Sequence, residues 1–226
     1  DIDRDDLVIV GSGDDAAIIK SQEKDLVHSI DISKVNSHFP EDSKPQDIAY
    51  RSIAVALSDL AAMGACPAFI SIGLTSNITD LKWYMQFTNG VEKILNEYQL
   101  KLVGGDITNG EISVCVNVFG YAYENNILRS NAKVGDLIYI TGPLGEGRRG
   151  LEDWKNNQQT KYIKKFFNPK VDFNKSEYIS KYANSCIDIS DGLIKDLTRI
   201  CKSSEVGAEI IYENIPITND INDLSY

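Results

Sequence analysis

The sequence predicts a fold of the α/β class, with α and β elements mixed, arranged in two domains. Two long segments, 44–64 and 80–98, repeat apolar residues at helical spacing. The segment 111–121 alternates apolar and polar residues, which is typical of a strand whose two faces differ. These elements follow one another without a regular β-α-β repeat, so a mixed arrangement is favoured over a doubly wound parallel sheet.

The first helix is predicted for KPQDIAYRSIAVALSDLAAMG, residues 44–64. Pro45 suits the first turn of a helix, and Gly64 supplies the left-handed conformation that ends one. Its small residues predict close packing against a neighbouring element. The predicted buried face consists of Ile48, Ala49, Ile53, Ala56, Leu57 and Leu60.

The second helix is predicted from Asp80 to Tyr98, with Gly90 weakening its middle. Its apolar stripe comprises Leu81, Tyr84, Met85, Val91, Ile94, Leu95 and Tyr98. The strand after it is KLVGGD, residues 101–106, which runs into a turn.

A polar segment, residues 123–136, separates these elements from a new predicted strand, LIYIT, at 137–141. Further helices are predicted near 144–155 and 192–204. We therefore expect an N-terminal domain of residues 1–124 and a C-terminal domain of residues 125–226. The chain begins without Met, and we expect it to be a fragment whose C-terminal domain is incomplete.

The net charge of −10, from 33 acidic and 23 basic residues, argues against a nucleic-acid or anionic-membrane partner and favours cations. No apolar run approaches the roughly 20 residues of a membrane helix. The four cysteines are far apart and lack CxxC spacing, which indicates neither zinc nor a disulfide framework. A cytoplasmic location fits this pattern.

Acidic residues recur at predicted element ends beside Gly or Ser, in GSGDDAA, LSDLAAMG, LVGGDITNG and CIDISDGL. Asp31 follows another predicted strand. Converging carboxylates repel one another by several kcal/mol and need protons or cations. All-oxygen ligands favour Mg²⁺, and protein-bound Mg²⁺ commonly shares its shell with substrate phosphates. The candidate ligands are Asp14, Asp15, Asp31, Asp59, Asp106, Asp188 and Asp191.

The alternative is that each Asp is only a helix cap or a turn residue, as Asp191 ahead of GLIKDL illustrates. The segment GEGRRG, residues 145–150, matches a dinucleotide-binding spacing, and Gly142 to Gly147 match a phosphate loop. Arg148 stands where that loop needs Lys, and no second β-α-β half is visible. A tight turn into a helix is the favoured interpretation.

These motifs, with DIAYRSIAVALSDLAAMGACP, SHF and TGPLG, resemble the thiamine-monophosphate kinase family. That family belongs to the superfamily of aminoimidazole ribonucleotide synthetase and selenophosphate synthetase. The likeness covers residues 8–212. It implies ATP- and Mg²⁺-dependent phosphorylation of thiamine monophosphate to thiamine diphosphate, and a homodimer whose N-terminal sheets pair in a barrel-like core.

The resemblance also assigns roles to individual residues. It implies several Mg²⁺ ions, with ligands Asp15, Ser29, Asp31, Asp59, Asp106 and Asp188, a further ion at Asp191, and Asp14 as an adjacent candidate. ATP contacts are implied for Gly105, Arg129 and Ser190, and a thiamine monophosphate contact for His38. The stretch SKVNSHF departs from the family pattern before His-Phe. Two alternatives remain open: another ATP-dependent enzyme of the superfamily, and a non-catalytic Mg-nucleotide-binding or dimerisation module.

Overall fold

The computed structural model describes residues 8–10, 18–19 and 24–218. Its strands are β1 (Val8–Val10), β2 (Ile18–Ile19), β3 (Leu26–Lys34), β4 (Ala65–Thr75), β5 (Lys101–Thr108) and β6 (Ser113–Ala122). Its helices are α1 (Pro45–Ala62), α2 (Leu81–Tyr98), α3 (Glu146–Lys155), α4 (Lys161–Phe167), α5 (Phe173–Tyr182) and α6 (Leu193–Ser204), and a 3-10 turn covers Tyr212–Asn214. The mixed α/β class predicted from the sequence is confirmed.

The main sheet is open and mixed, with the strand order β3-β6-β4-β5. β6 lies antiparallel to both β3 and β4, while β4 and β5 are parallel and are joined through α2. A separate antiparallel pair is formed by β1 and β2. Because β3 and β5 are the edge strands, residues on them lie at opposite sides of the sheet.

One face of this sheet packs against α1 and carries the main core. Val114, Val116 and Val118 of β6 are fully buried there against the apolar face of α1. Each such side chain contributes roughly 1.5–3 kcal/mol of hydrophobic stabilisation. All six α1 residues predicted to be buried are buried, and α2 adds Phe87, Val91 and Ile94 to the same core.

The opposite face of the sheet, called the outer face below, is partly uncovered. Leu26, Ile30 and Ile32 of β3 are 54–58% exposed. Phe69, Val103 and Tyr121 form a small second cluster on this side of the sheet. Within the described residues, one face of the sheet is therefore covered far better than the other.

Helix boundaries follow the local signals in the sequence. Pro45 is the first residue of α1, and Gly64 adopts a φ of 70° just after it. Asp80 caps α2 by accepting a hydrogen bond from the Lys82 backbone N–H. The GEGRRG segment forms a turn at Gly145, with a φ of 87°, and then begins α3, as predicted.

The predicted strand LIYIT is wrong as a strand. No β-ladder includes residues 137–141, and Tyr139 is 82% exposed. A strand needs a neighbouring strand to satisfy its backbone hydrogen bonds, and within the described residues 125–218 only isolated bridges occur, Leu128 with Ser185 and Leu144 with Ile217. Among the described helices, none is long and apolar enough to cross a membrane.

Candidate functional site

The site begins where β3 meets the last turn of α1. Ser29 and Asp31 alternate with exposed residues on β3 and are paired with buried Val118 and Val116, so both face α1. Asp59 projects from α1 toward them. The Ser29 hydroxyl donates a 2.6 Å hydrogen bond to Asp59 Oδ2. These three oxygen-bearing side chains therefore lie near one another.

Asp31 carries a carboxyl group in an unfavourable environment for charge. Burial raises its pKa above the ordinary value, the nearby Asp59 raises it further, and His38 partly opposes both effects. Asp31 is a partly buried carboxylate beside a second carboxylate. A bound cation would reduce the repulsion between the two charges.

Asp188 approaches the same aspartate from a different part of the chain. Its pKa is raised by burial first, and then by Asp59 and Asp196, while a hydrogen bond from Ser58 and the charge of Arg129 lower it. Asp59 is thus shared by two carboxylate pairs, one with Asp31 and one with Asp188. Arg129 is therefore near enough for its charge to act on Asp188.

The loop after Asp188 is organised by a residue that sequence reasoning missed. Asp196, which is 1% exposed, accepts hydrogen bonds at Oδ2 from the backbone N–H groups of Ser190, Asp191 and Gly192, at 3.0, 3.0 and 3.1 Å. Its other oxygen is paired with Arg199. The pattern GLIKDL places Asp196 in the first turn of a helix, but gives no signal that three loop amides converge on it.

Asp191 itself is exposed and already has two cationic partners. Lys195 lies 2.9 Å from its Oδ2, and Arg199 Nη2 donates to the same oxygen at 2.6 Å. These bonds lower the pKa of Asp191. A metal ion at Asp191 would have to replace or join these partners.

His38 lies on the segment after β3 and is held at both its ring and its backbone. Its Nδ1 accepts a 3.0 Å hydrogen bond from the Lys34 backbone N–H, which leaves Nε2 as the outward ring nitrogen. Its carbonyl accepts from Arg51 Nε at 3.2 Å. The same guanidinium donates to the Phe166 carbonyl at 2.5 Å and lies 3.9 Å from the Phe166 ring centroid.

Arg51 is a second residue that the sequence did not single out. Burial lowers its pKa to about 10. Since its described acceptors are the carbonyl groups of His38 and Phe166, Arg51 holds the backbone at His38 against the C-terminal end of α4. The sequence shows only that Arg51 stands inside a predicted helix among apolar residues, which does not reveal its hydrogen-bond partners.

Two predicted positions lie apart from this centre. Asp106 on β5 is paired with Gly73 on β4. The same row across the sheet continues with Cys115 on β6 and the exposed Ile32 on β3. Asp106 therefore lies on the outer face, at the edge of the sheet opposite β3. Gly105 allows close approach of β5 to β4, because a Cβ there would lie 2.6 Å from the Ile72 carbonyl oxygen. Asp14 and Asp15 lie outside the described residues.

Within residues 24–218 and the short described strands before them, no three carboxylate, His or Cys side chains converge into a ready ligand cage. The donors present are nevertheless all oxygen atoms, and the pKa values of Asp31 and Asp188 are each raised by burial and by the charge of Asp59. Such a donor set fits a hard cation such as Mg²⁺, which keeps part of its shell for water and phosphate.

A cavity of about 680 Å³ lies between residues 125–133 and 180–184. Its lining is polar, with Asn131, Lys133 and Asn184 among its residues, and it includes none of the predicted site residues. We regard the carboxylate centre around Asp59 as the better candidate site. Its groups interact with one another, whereas no sequence motif predicted the residues that line the cavity.

Comparisons with known proteins place the chain in a recognised class. Residues 13–122 match the family model described as AIR synthase related protein, N-terminal domain. A thiamine-monophosphate kinase of Buchnera aphidicola subsp. Schizaphis graminum is 43% identical over 95% of this chain and 69% of its own length, and that of Escherichia coli K12 is 38% identical over the same shares. The chain belongs to the thiamine-monophosphate kinase family.

Solved structures agree with that family. The thiamine-monophosphate kinase from Stenotrophomonas maltophilia superposes with a TM-score of 0.89 at 29% identity, covering 97% of this chain and 73% of the other. AaThiL complexed with AMPPCP and TMP gives a TM-score of 0.84 at 29% identity, covering 92% and 70%. The hydrogenase maturation protein HypE in complex with ATP, at 16% identity and a TM-score of 0.76, shares the fold.

Proposed function

We propose that this chain transfers the γ-phosphoryl group of ATP to thiamine monophosphate, giving thiamine diphosphate. The observation that carries the proposal is the similarity, over 92% of the chain, to AaThiL complexed with AMPPCP and TMP. The shared carboxylate centre around Asp59 supports it, because phosphoryl transfer depends on neutralising phosphate charge and aligning the reactants more than on a protein nucleophile.

The residues that would hold Mg²⁺ are Ser29, Asp31, Asp59 and Asp188, with Asp14, Asp15, Asp106 and Asp191 as further candidates. Bound Mg²⁺ would supply charge neutralisation for the phosphates of ATP and thiamine monophosphate. The raised pKa values of Asp31 and Asp188 support this role, since a cation would stabilise their charged forms.

We assign nucleotide positioning to Gly105, Arg129 and Ser190. Arg129 influences the charge of Asp188, which supports a place beside the phosphates. Gly105 is exposed on β5, the strand that also carries Asp106. Guanidinium and backbone groups of this kind suit phosphate oxygens.

His38 is assigned to thiamine monophosphate. Its Nε2 is the ring nitrogen left free by the Lys34 bond, and Arg51 fixes the backbone beneath it. A neutral imidazole with Nε2–H donates one hydrogen bond to a phosphate or ring acceptor on the substrate.

We further infer a homodimer formed through the outer face, and a division into domains 1–124 and 125–226. The exposed Leu26, Ile30 and Ile32 support the first inference. Asp106 lies on the same face, so a second copy placed there would bring this carboxylate close to an interface. All four cysteines are free, which supports a reducing, cytoplasmic setting.

The deciding experiment is conversion of thiamine monophosphate by the purified chain with ATP and Mg²⁺, followed by chromatography of the thiamine phosphates. We expect thiamine diphosphate and ADP in equal amounts, and none after chelation with EDTA. ATP turnover that responds to a different acceptor would instead indicate another enzyme of the superfamily. A folded chain that binds AMPPCP but forms no product would indicate a binding module.

A further inference from the structure

The carboxylate of Asp196 occupies a position normally suited to a bound anion. The backbone N–H groups of Ser190, Asp191 and Gly192 converge on one of its oxygens, at 3.0 to 3.1 Å. Three successive amides that point at one negative group form an anion-binding nest. Here the chain fills the nest with its own side chain, which is 1% exposed.

This arrangement differs from ordinary helix capping. A capping-box side chain reaches back only to the N-cap amide, which here is that of Gly192, whereas Asp196 also bonds the amides of Ser190 and Asp191. Asp196 bonds the three residues before α6. It therefore determines the path of the loop that leads into α6.

The loop needs two further features to adopt this path. Gly192 has a φ of 118°, which residues with a Cβ adopt only with strain, although a Cβ there would meet nothing within 4 Å. Arg199 pairs with Asp196 Oδ1 and also donates to Asp191. The guanidinium therefore balances the buried charge and ties one more loop side chain to the same carboxylate.

We infer that Asp196 is a positioning residue for the candidate site: by holding the amides of residues 190–192 it sets where Asp188, Ser190 and Asp191 present their oxygens. This inference rests on the proposed function, because it assumes that those oxygens serve Mg²⁺ and ATP. Asp196 acts on them through the backbone and is not itself assigned to metal or substrate.

The chain offers a matched control in Asp153. This carboxylate is 2% exposed, pairs with Arg149 at 2.7 Å and accepts from Thr160, and none of its partners belongs to the candidate site. Asp153→Ala and Asp196→Ala each remove a buried carboxylate with an arginine partner. Their effects on unfolding are therefore comparable, while only one touches the loop.

The first measurement is amide hydrogen exchange of the chain without ligands. Asp196→Ala is expected to accelerate exchange in the 188–193 segment, since three amides lose their acceptor. Asp153→Ala is expected to leave that segment unchanged. Asp196→Asn keeps one carboxamide oxygen and is expected to show a smaller acceleration.

The second measurement is the Mg²⁺ concentration needed for half-maximal binding of AMPPCP, by calorimetry. Loss of a group that orients metal ligands typically costs 10- to 100-fold in affinity. Asp196→Ala is expected to raise the Mg²⁺ midpoint by about that factor, Asp196→Asn by less, and Asp153→Ala not at all. In turnover, KM for ATP should rise more than KM for thiamine monophosphate.

An unchanged Mg²⁺ midpoint in Asp196→Ala, or an equal rise in Asp153→Ala, would overturn the inference and leave Asp196 a purely stabilising residue. If Asp196→Ala does not fold, the same measurements on Asp196→Asn and Gly192→Ala test the inference. Gly192→Ala is suitable because it strains the same loop without removing a contact. If the wild-type chain binds no AMPPCP at any Mg²⁺ concentration, that result contradicts the proposed function itself and, with it, the positioning role of Asp196.

Discussion

Asp59 is the residue on which both carboxylate pairs depend, and it receives the hydroxyl bond of Ser29. Asp59→Asn keeps an oxygen for Ser29 but removes the charge that Mg²⁺ needs. We expect turnover to fall at least about 100-fold, equivalent to about 2.7 kcal/mol, with the fold intact. Steady-state kinetics at saturating Mg²⁺ and circular dichroism measure the two effects.

The matched control is Asp42→Asn, which removes a charge from an exposed position outside the site. It should leave turnover within a factor of two or so of wild type. Normal activity in Asp59→Asn would contradict a metal-binding role for Asp59.

The raised pKa values of Asp31 and Asp188 predict a pH-dependent stability. Their protonated forms are favoured in the folded chain, so the stability they contribute is complete below the ordinary pKa of 3.8 and is lost as the pH rises through the raised values. Asp31→Asn and Asp188→Asn should therefore be more stable than wild type at pH 7 without Mg²⁺, by up to about 1 kcal/mol.

Thermal unfolding of wild type and both variants between pH 4 and pH 7 tests this sign. The advantage of each variant should shrink toward pH 4, and added Mg²⁺ should reverse it at pH 7 by stabilising only the wild type. A difference that is the same at every pH would show that packing, and not charge, distinguishes the variants.

At the scale of elements, two helical glycines illustrate opposite constraints. A Cβ at Gly90 of α2 would lie 2.2 Å from the Gln46 carbonyl oxygen of α1, whereas a Cβ at Gly147 of α3 would meet nothing within 4 Å. Gly90→Ala should lower the free energy of unfolding by about 1–3 kcal/mol, because the two helices must separate. Gly147→Ala should raise it by up to about 1 kcal/mol through helix propensity.

Urea unfolding of the two variants provides the comparison. Equal shifts in one direction would mean that propensity alone governs both sites, and that the close approach of α1 and α2 is not needed for stability.

The elements that the sequence predicted well are those with strong local signals. α1 and α2 carry a proline or an aspartate at their start and a clear apolar stripe, and their observed bounds lie close to the predicted ones. α4 and α5 were missed because they lie in a lysine-rich stretch, and α4 is only 7 residues long. LIYIT has strand-like composition, but composition does not supply a hydrogen-bonding neighbour.

The residues of the candidate site also differ in how well the sequence predicted them. Asp31, Asp59 and Asp188 were predicted because carboxylates near element ends stand out in the sequence, although Asp31 lies inside β3. Ser29 was predicted only from the family resemblance. Asp196 and Arg51 were not found, because their roles depend on which backbone groups the fold brings to them, and neither residue type nor spacing records that.

For the whole molecule, the outer face predicts association. Its exposed Ile30 should become buried when two copies pair, and a glutamate there would bury an unpaired charge. We expect wild type to be a dimer by light scattering at tens of micromolar, and Ile30→Glu to weaken the dimer at least about 100-fold. Met85→Glu, at a site 60% exposed on α2, is the control and should remain dimeric. A monomeric wild type would overturn the proposed interface.

The contact of Arg51 with Phe166 also has a consequence for the synthesis of the chain. At about 5 to 20 residues per second, the 115 positions between them take roughly 6 to 23 s to translate. During that interval the guanidinium has neither the Phe166 carbonyl nor its ring to hold it under His38. Before α4 has emerged and docked, the backbone at His38 still has its hydrogen bonds to Lys34 and Arg51, but Arg51 lacks its contact with Phe166. The candidate substrate contact therefore reaches its final arrangement only after α4 has been made.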